Sequence, residues 1–249
     1  MQLTVLGSSA SYADAGRACS GHLVRSGTSA VLFDCGNGVI ANLAKVMDPL
    51  GLDALIITHE HVDHFADVYA LQAALRYAPA GPAPALRLYV PPGLFERMGA
   101  VLDERGRKEL AEAFLVHELV VGDELHFGTL TVRVGEGDHV DPTFTLSASD
   151  GVSRIVYTSD IRLGDRAIDA ALDADILLTE ATLPPEYAGR AAHMTPAEAG
   201  ELASRAGVGM LVLTHLWPTV DRVAAATEAA MSFSGRIIVA NELDEIAPD

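Results

Sequence analysis

One short polar segment follows directly after an apolar run, and it constrains the chain more than any other feature. The apolar run ALII (54–57) reads as a buried strand, and the segment THEHVDH (58–64) leaves its end. This segment holds three imidazoles and two carboxylates. Imidazole nitrogens and carboxylate oxygens are the usual ligands of zinc and other first-row divalent ions. One such turn can serve two neighbouring ions: His59 and His61 for one, Asp63 and His64 for the other.

The spacing His-x-His-x-Asp-His is similar to the signature of the metallo-β-lactamase superfamily, and the resemblance extends along almost the whole chain. The segments LTVLGSS (3–9), CSGHLV (19–24) and AVLFDCG (30–36) resemble the first strands and glycine turn of the ribonuclease Z-like branch. This resemblance implies an α/β fold, the αβ/βα four-layer sandwich, in which two facing mixed β-sheets are flanked by helices. It also implies a single domain over residues 1–249.

The order of the predicted strands and helices indicates the same architecture. Residues 3–7, 22–25 and 29–34 read as strands, and residues 39–47 read as a helix that leads to the strand ending at Thr58. Residues 65–77 read as a helix, and residues 92–114 as one or two helices. Residues 115–157 again have a β pattern, and apolar strand runs then alternate with helices. Thr195 is the predicted N-cap of one of these helices. Two halves of strands followed by helices predict two sheets packed face to face with helices outside.

The composition is that of a globular protein with a strongly acidic balance. The chain has 249 residues, of which 49% are hydrophobic, so it is long enough to bury a large core. Its net charge is −17, from 17 basic and 34 acidic residues, whereas binding of nucleic-acid phosphates needs clustered Lys and Arg. The one short basic cluster, RGRK (105–108), reads as a solvated helix start. We therefore do not expect a nucleic-acid partner.

The sequence also bears on compartment and membrane association. No uninterrupted apolar stretch approaches the length of a membrane span, and the N-terminus does not resemble a signal peptide. Cys19 and Cys35 lie in strand-like contexts and are expected to be reduced core residues. We therefore expect a cytoplasmic protein without a membrane partner. A homodimer stays open, because the sequence does not set the oligomeric state.

Three further residues follow apolar strands in the order and contexts that the superfamily uses for its remaining ligands. They are His139, Asp160 and His215. The resulting hypothesis places His59, His61 and His139 on one ion, places Asp63, His64 and His215 on the other, and has Asp160 bridge both. The expected cofactors are two Zn²⁺ ions, with Mn²⁺ or Fe as alternatives because all the ligands are nitrogen or oxygen. The expected nucleophile is a metal-bound hydroxide. Asp63 is counted among the predicted catalytic residues as well as among the ligands.

Two segments bear on the reaction class. LLTEAT (177–182) and HMT (193–195) resemble paired motifs of ribonuclease Z-like phosphodiesterases. The resemblance implies that His193 is the general acid or a phosphate contact and that Glu180 orients it. An alkoxide leaving group needs a proton, and an imidazole can supply one. In the alternative interpretation His193 merely precedes a helix cap, and Glu180 is a solvated strand end.

The chain departs from tRNA-processing members at two places. The segment between His139 and Asp160 is too short for the long arm that grips tRNA, and LWPT (216–219) replaces a Ser- and Tyr-bearing stretch. These departures favour a small phosphodiester substrate, with cyclic nucleotides as one candidate. Three alternatives stay open: a ribonuclease Z-type tRNA 3′ endonuclease, a lactone or thioester hydrolase, and a non-catalytic metal-binding module. The pair of His193 and Glu180 argues against the second, and the full ligand set argues against the third.

Two residues near the predicted ligands are ambiguous. Arg162 can meet a phosphate or pair with Asp165, and Trp217 can line the pocket mouth or pack against neighbours. The sequence leaves open whether either residue contacts the substrate. His22 lies in an apolar context and is expected to be a core residue or to lie just behind the ligands.

Overall fold

Two seven-stranded β-sheets form the centre of the protein in a computed structural model, which describes residues 1–248. The strands are β1 (Gln2–Gly7), β2 (Gly21–Ser26), β3 (Ser29–Phe33), β4 (Ala54–Ile56), β5 (Leu86–Val90), β6 (Phe114–Glu118), β7 (Glu124–Phe127), β8 (Leu130–Glu136), β9 (Phe144–Ser149), β10 (Arg154–Tyr157), β11 (Ile176–Glu180), β12 (Met210–Thr214), β13 (Arg236–Val239) and β14 (Glu245–Ile246). The helices are α1 (Val39–Val46), α2 (Val68–Arg76), α3 (Leu94–Ala100), α4 (Glu104–Ala113), α5 (Asp165–Ala171), α6 (Pro196–Ala206) and α7 (Arg222–Ala229).

Both sheets are mixed. The first sheet has the order β14-β1-β2-β3-β4-β5-β6 and is antiparallel up to β3 and parallel from β3 to β6. The second has the order β13-β12-β11-β10-β9-β8-β7 and is antiparallel from β7 to β10 and parallel from β10 to β13. Each half of the chain thus forms one sheet, and within each sheet the parallel strands are connected through helices. The exception is β14, which comes from the end of the chain and joins the first sheet.

Alternation of side chains along the strands produces four layers. In β1, Val5 points into the core between the two sheets, and Leu6 points outward into the core beneath α1 to α4. In β11, Leu178 faces the central core, and Leu177 packs under α5 to α7. Apolar residues on both faces of a strand are typical of sheets covered by helices. The predicted αβ/βα sandwich is confirmed, and its assignment to a single domain stays a prediction.

The segment after the His-rich motif differs from the predicted helix over residues 65–77. A short 3-10 turn covers Val62–His64, and α2 begins only at Val68. The cause is tertiary: the carbonyl oxygen of His64 accepts a hydrogen bond from the backbone N–H of Cys35, and the Asp67 carboxylate accepts one from Ile40. These bonds hold the chain in a non-helical path across the mouth of the first sheet.

Gly36 permits a close approach between two loops that both belong to the site. A Cβ atom at this position would lie 2.0 Å from the carbonyl oxygen of Asp63, so no larger residue fits without moving the motif. The two cysteines are buried and free, as expected. Within residues 1–248 no helix combines the length and the apolar character that a bilayer crossing requires.

Candidate metal centre

The predicted site residues come together where strands of both sheets end. The first motif leaves the end of β4, and Asp160, Glu180 and His215 lie at or just beyond the ends of β10, β11 and β12. Because these last three strands are parallel neighbours, their carboxyl ends meet at one edge of the second sheet. His139 arrives from the loop after β8. Ser159 and His215 have φ angles of 57° and 48°, left-handed conformations that turn the chain sharply at this edge.

One group of donor atoms converges around His61. Its Nδ1 atom lies 3.1 Å from His59 Nε2 and 3.1 Å from His139 Nε2. Asp160 Oδ2 lies 3.6 Å from His59 Nε2 and 3.8 Å from His139 Nε2. Two ligand atoms of one tetrahedral zinc are about 3.4 Å apart when each bond is about 2.1 Å long. The spacing of these four side chains therefore fits one metal ion.

A second group lies on the other side of Asp160. His64 Nε2 is 3.3 Å from His215 Nε2, which is 3.2 Å from Asp63 Oδ2. Asp160 Oδ1 is 3.4 Å from His64 Nε2. The two oxygens of Asp160 thus face different groups of histidines. This arrangement suits a carboxylate shared by two ions.

The chemistry of the donor set fits resident cations. Asp160 Oδ1 is buried, and no residue among 1–248 donates a hydrogen bond to it. A buried carboxylate oxygen without a donor is costly unless a cation satisfies it. His64 Nδ1 donates to Asp34, and His139 Nδ1 donates to the Ala192 carbonyl oxygen. In the neutral form of these rings, Nε2 is therefore the acceptor that faces the group, as metal ligands must be.

Asp34 is the main supporting residue that the sequence reasoning did not single out. It is fully buried, and its carboxylate accepts hydrogen bonds from His64 Nδ1 at 2.7 Å, Tyr157 Oη at 2.9 Å and the Thr58 backbone N–H at 2.8 Å. Thr182 plays a similar part, because its hydroxyl donates to the His215 carbonyl and accepts from His215 Nδ1. The sequence does contain a signal for Asp34, because its carboxylate follows an apolar strand, as that of Asp160 does.

Burial keeps two histidines neutral. Desolvation, aided by the charge on His64, lowers the pKa of His59 well below its usual value. Desolvation also lowers the pKa of His139. Neutral imidazole is the form that binds metals.

The buried carboxylates are held ionised. Burial opposes the charge of Asp160, but His215 and His64 lower its pKa well below its usual value. Asp63 behaves similarly, because the hydrogen bond and charge of His215 and the charge of His64 outweigh its burial and lower its pKa. Asp160 and Asp34 in turn raise the pKa of His64 well above its usual value, despite its burial. The negative charge of these ionised carboxylates also attracts divalent cations.

Glu180 and His193 form a pair beside this group. Glu180 is fully buried, so it is not a solvated strand end, and its Oε1 atom accepts a hydrogen bond from His193 Nδ1 at 2.8 Å. The backbone N–H groups of Ile161 and Met194 also donate to the Glu180 carboxylate. His193 Nδ1 lies 4.0 Å from Asp160 Oδ2. Burial opposes the charge of His193, but the bond to Glu180 and the nearby carboxylates raise its pKa to about 9.

Neither of the two ambiguous residues, Arg162 and Trp217, belongs to the groups of ligand atoms. Arg162 pairs with Asp138 at 3.3 Å and not with Asp165. The Trp217 ring lies edge-on to Tyr187, with the ring centres 5.9 Å apart.

His22 is fully buried, and no described residue hydrogen-bonds to its ring nitrogens. Desolvation and nearby histidines lower the pKa of His22 to about 3, so it is a neutral core residue.

The segment between His139 and Asp160 contains no arm. It holds β9 and β10, which pair antiparallel, and the short turn that joins them. Glu60, which alternates with the ligand residues of the motif, faces away and pairs with Arg97 at 2.6 Å.

Comparisons with known proteins agree with this architecture. A family model described as "Beta-lactamase superfamily domain" matches residues 29–216. The ribonuclease Z of Mycobacterium bovis (strain BCG / Pasteur 1173P2) is 34% identical over 280 residues, which cover 99% of this chain and 98% of that protein. The probable metallo-hydrolase YhfI of Bacillus subtilis (strain 168) is 30% identical over 243 residues, covering 96% and 97% of the two chains.

Solved structures extend the likeness to three dimensions. The crystal structure of the metallo-β-lactamase fold protein YhfI superposes with a TM-score of 0.89 at 29% identity and covers 98% of each chain. The short form of human tRNase Z has a TM-score of 0.81 at 24% identity over the full length of both chains, and this likeness concerns the fold. The family match, its metallo-hydrolase relatives and the histidine–aspartate cluster together establish that the chain belongs to the β-lactamase superfamily and is a metallo-hydrolase of that family.

Proposed function

We propose that the protein is a dinuclear metal-dependent phosphodiesterase that acts on small phosphodiesters, with cyclic nucleotides as one candidate. One ion would be held by the group around His61 and the other by the group around His215, with Asp160 shared between them. Zinc is the proposed metal, with manganese or iron as alternatives, since every donor atom is nitrogen or oxygen. The free, buried cysteines agree with a cytoplasmic setting.

The observation that carries the proposal is the hydrogen bond of 2.8 Å between His193 Nδ1 and the buried Glu180 carboxylate. This bond fixes the ring and leaves its Nε2 atom free to meet a substrate. The His193 side chain is 17% exposed, so it remains reachable from solvent next to Asp160. A proton donor in this position suits an alkoxide leaving group.

The positions of the side chains indicate the role of each residue in the proposed reaction. Bound cations would supply Lewis-acid activation of water and would offset negative charge on the phosphoryl oxygens. Asp160 and Asp63 stay ionised to hold cations, and His193 delivers a proton to the departing oxygen. Asp34 and Thr182 keep two of the histidine rings in the orientation that presents Nε2 to the centre.

A comparison of three substrates tests this proposal. Metal-loaded protein is assayed with bis(p-nitrophenyl) phosphate, a lactone and a pre-tRNA, while metal content is measured on the same preparation. We expect turnover of the diester and about two metal ions per chain. Preferential hydrolysis of the lactone would reject the phosphodiesterase proposal and leave a hydrolase of another bond.

A ribonuclease Z-type activity is the second candidate, because a protein of that name is 34% identical along nearly the whole chain. Against it stand the missing arm and the charge of −17. Affinity for RNA depends on how many phosphates are neutralised, so a chain with few clustered cations should bind tRNA weakly and with a shallow salt slope. Cleavage of a small diester should depend little on ionic strength.

The measurement is a parallel salt titration with a small diester and a pre-tRNA that bears a 3′ trailer. Accurate and efficient trailer removal by this chain alone would make ribonuclease Z the better assignment. Weak, imprecise cleavage together with fast diester turnover supports the small substrate.

Replacing Glu180 tests whether it positions His193. Glu180→Gln removes the charge that holds the imidazolium but keeps the shape, so we expect a loss of about tenfold to a hundredfold in kcat with metal content unchanged. The double variant Glu180→Gln/His193→Ala should be no slower than His193→Ala, since residues that act as a unit are not additive. The control is Glu201→Gln, which changes a half-exposed residue of α6 that pairs with Arg205. If Glu180→Gln lowers kcat no more than Glu201→Gln does, Glu180 has no part in the mechanism.

A further inference from the structure

A small cavity of about 130 Å³ lies beside the metal centre and has two arginines in its wall, Arg17 and Arg222. Its walls come from the loop between β1 and β2 and from the segment after His215. Leu216 joins the two walls, since its N–H donates to Ser8 and its carbonyl accepts from Ala10. The same loop reaches the centre itself, because the Ser11 N–H donates to Asp63 Oδ2 at 2.7 Å.

Arg17 is a cation without a partner. Its guanidinium makes no hydrogen bond or ion pair with any of residues 1–248, and its Nη1 atom is buried. Its backbone is held in place, because the N–H donates to the carbonyl oxygen of Asp14 at 2.9 Å. A guanidinium has five donors and stays charged, so burial of an unpaired nitrogen is unfavourable unless an anion meets it.

Arg222 is also charged but is fixed by the fold. It donates to Ser8 Oγ at 2.7 Å and to the carbonyl oxygen of Ala240, and Ser8 Oγ in turn donates to Glu242. Burial and the charge of Arg17 lower the pKa of Arg222 to about 10, although Glu242 counteracts this. The two guanidiniums therefore repel each other, and the carboxylates of Glu242 and Asp244 offset part of their charge.

The other groups of the wall allow an anion. Asp14 also lines the cavity, but its Oδ1 atom accepts a hydrogen bond from the Ala15 N–H at 2.7 Å within its own loop. Trp217 provides an apolar wall. The cavity volume of about 130 Å³ is several times the ~10–15 Å³ that one water molecule requires, which leaves room for a phosphate group.

We propose that this cavity is a phosphate-binding subsite in which Arg17 and Arg222 bind a second phosphate group of the substrate. The substrate part of this inference rests on the proposed phosphodiesterase function. It narrows the substrate class to phosphodiesters that carry a further phosphate monoester. Planar guanidinium groups recognise phosphate through paired hydrogen bonds, which suits Arg17 because its donors are free. Free inorganic phosphate offers the same chemistry and is the second source that the test must separate.

Trp217 provides a direct test, because it is the only tryptophan of the chain. Inorganic phosphate is titrated into metal-loaded protein while tryptophan fluorescence and Tm are followed. We expect a saturable fluorescence change and a rise in Tm, and an affinity that is about tenfold or more weaker in Arg17→Gln. Arg105→Gln removes a surface charge that pairs with Glu109 on α4 and should bind phosphate like the parent protein. Unchanged affinity in Arg17→Gln would place the phosphate elsewhere, at the metal ions, and would overturn the subsite.

The stability of the variants separates binding from a structural role. Because the Arg17 side chain has no partner, Arg17→Gln should not lower Tm in phosphate-free buffer. Arg17→Lys keeps the charge without the planar donors and should show intermediate affinity. A fall in Tm for Arg17→Gln without any change in phosphate affinity would make Arg17 a structural residue and reject the proposal.

The source of the phosphate is decided by kinetics with two esters. The p-nitrophenyl ester of thymidine 5′-phosphate is compared with the same ester that carries a 3′-phosphate. We expect a KM about tenfold lower for the 3′-phosphorylated ester and loss of this difference in Arg17→Gln. If the two esters have equal KM values while the fluorescence response still depends on Arg17, the cavity binds free phosphate. This result would overturn the inference that it binds a phosphate group of the substrate. If neither ester is hydrolysed, the proposed function fails, while the fluorescence titration still decides whether the cavity binds phosphate.

Discussion

Asp160→Ala should abolish hydrolysis and remove most of the bound metal. Its two oxygens face the two groups of histidines, so its loss weakens both halves of the centre at once. Removal also leaves His64 and His215 without the buried carboxylate that neighbours both. We expect metal content to fall from about two ions per chain to below one, and kcat/KM to fall by at least about a thousandfold. Metal analysis and a diester assay on the same preparation measure both effects.

The control for this variant is Asp169→Ala, which removes an exposed carboxylate on α5. Asp63→Ala should resemble Asp160→Ala in activity, because Asp63 lies 3.2 Å from His215 Nε2. Most of the fold should survive, since the core clusters do not depend on either carboxylate. Full activity of Asp160→Ala in a metal-free preparation would refute the metal centre as the catalytic site.

His193→Ala should separate proton transfer from metal binding. The ring is held by Glu180 at 2.8 Å and lies 4.0 Å from Asp160, so its removal takes away a proton donor and leaves the two groups of ligands intact. We expect near-normal metal content and a loss of about a hundredfold or more in kcat, the usual scale for a general acid. The loss should shrink for p-nitrophenolate, which leaves without a proton, compared with an alkyl leaving group.

The competing role for His193 is that of a ligand, because it also lies within reach of Asp160 and His215. The two roles predict different metal contents. Metal loss equal to that of Asp160→Ala, with the same rate loss for both leaving groups, would make His193 a ligand. His126→Ala, an exposed histidine of β7 on a distant strand, controls for removal of an imidazole.

The fold can be predicted from the sequence because the signals that specify it are local. A strand buried on both faces reads as a continuous apolar run, as in β11 and β12. Thr195, the predicted N-cap, does cap α6 and forms a capping box with Glu198. A polar ligand residue directly after such a run is also a local signal, which is why Asp160 and His215 stood out. The late start of α2 escaped prediction, because contacts with Cys35 and Ile40 override helical spacing there.

By itself the sequence determined the four-layer sandwich and the residue types that gather at the strand ends. Only the tertiary structure decided which atoms meet. Asp34 and Tyr157 are 123 residues apart and hydrogen-bond at 2.9 Å, and Arg17 and Arg222 line one cavity from opposite ends of the chain. Such contacts depend on the register of neighbouring strands and on the loops that join them. Local periodicity shows which face of a strand or helix is buried. It does not show which residues of another element contact that face, because this depends on register and loop geometry.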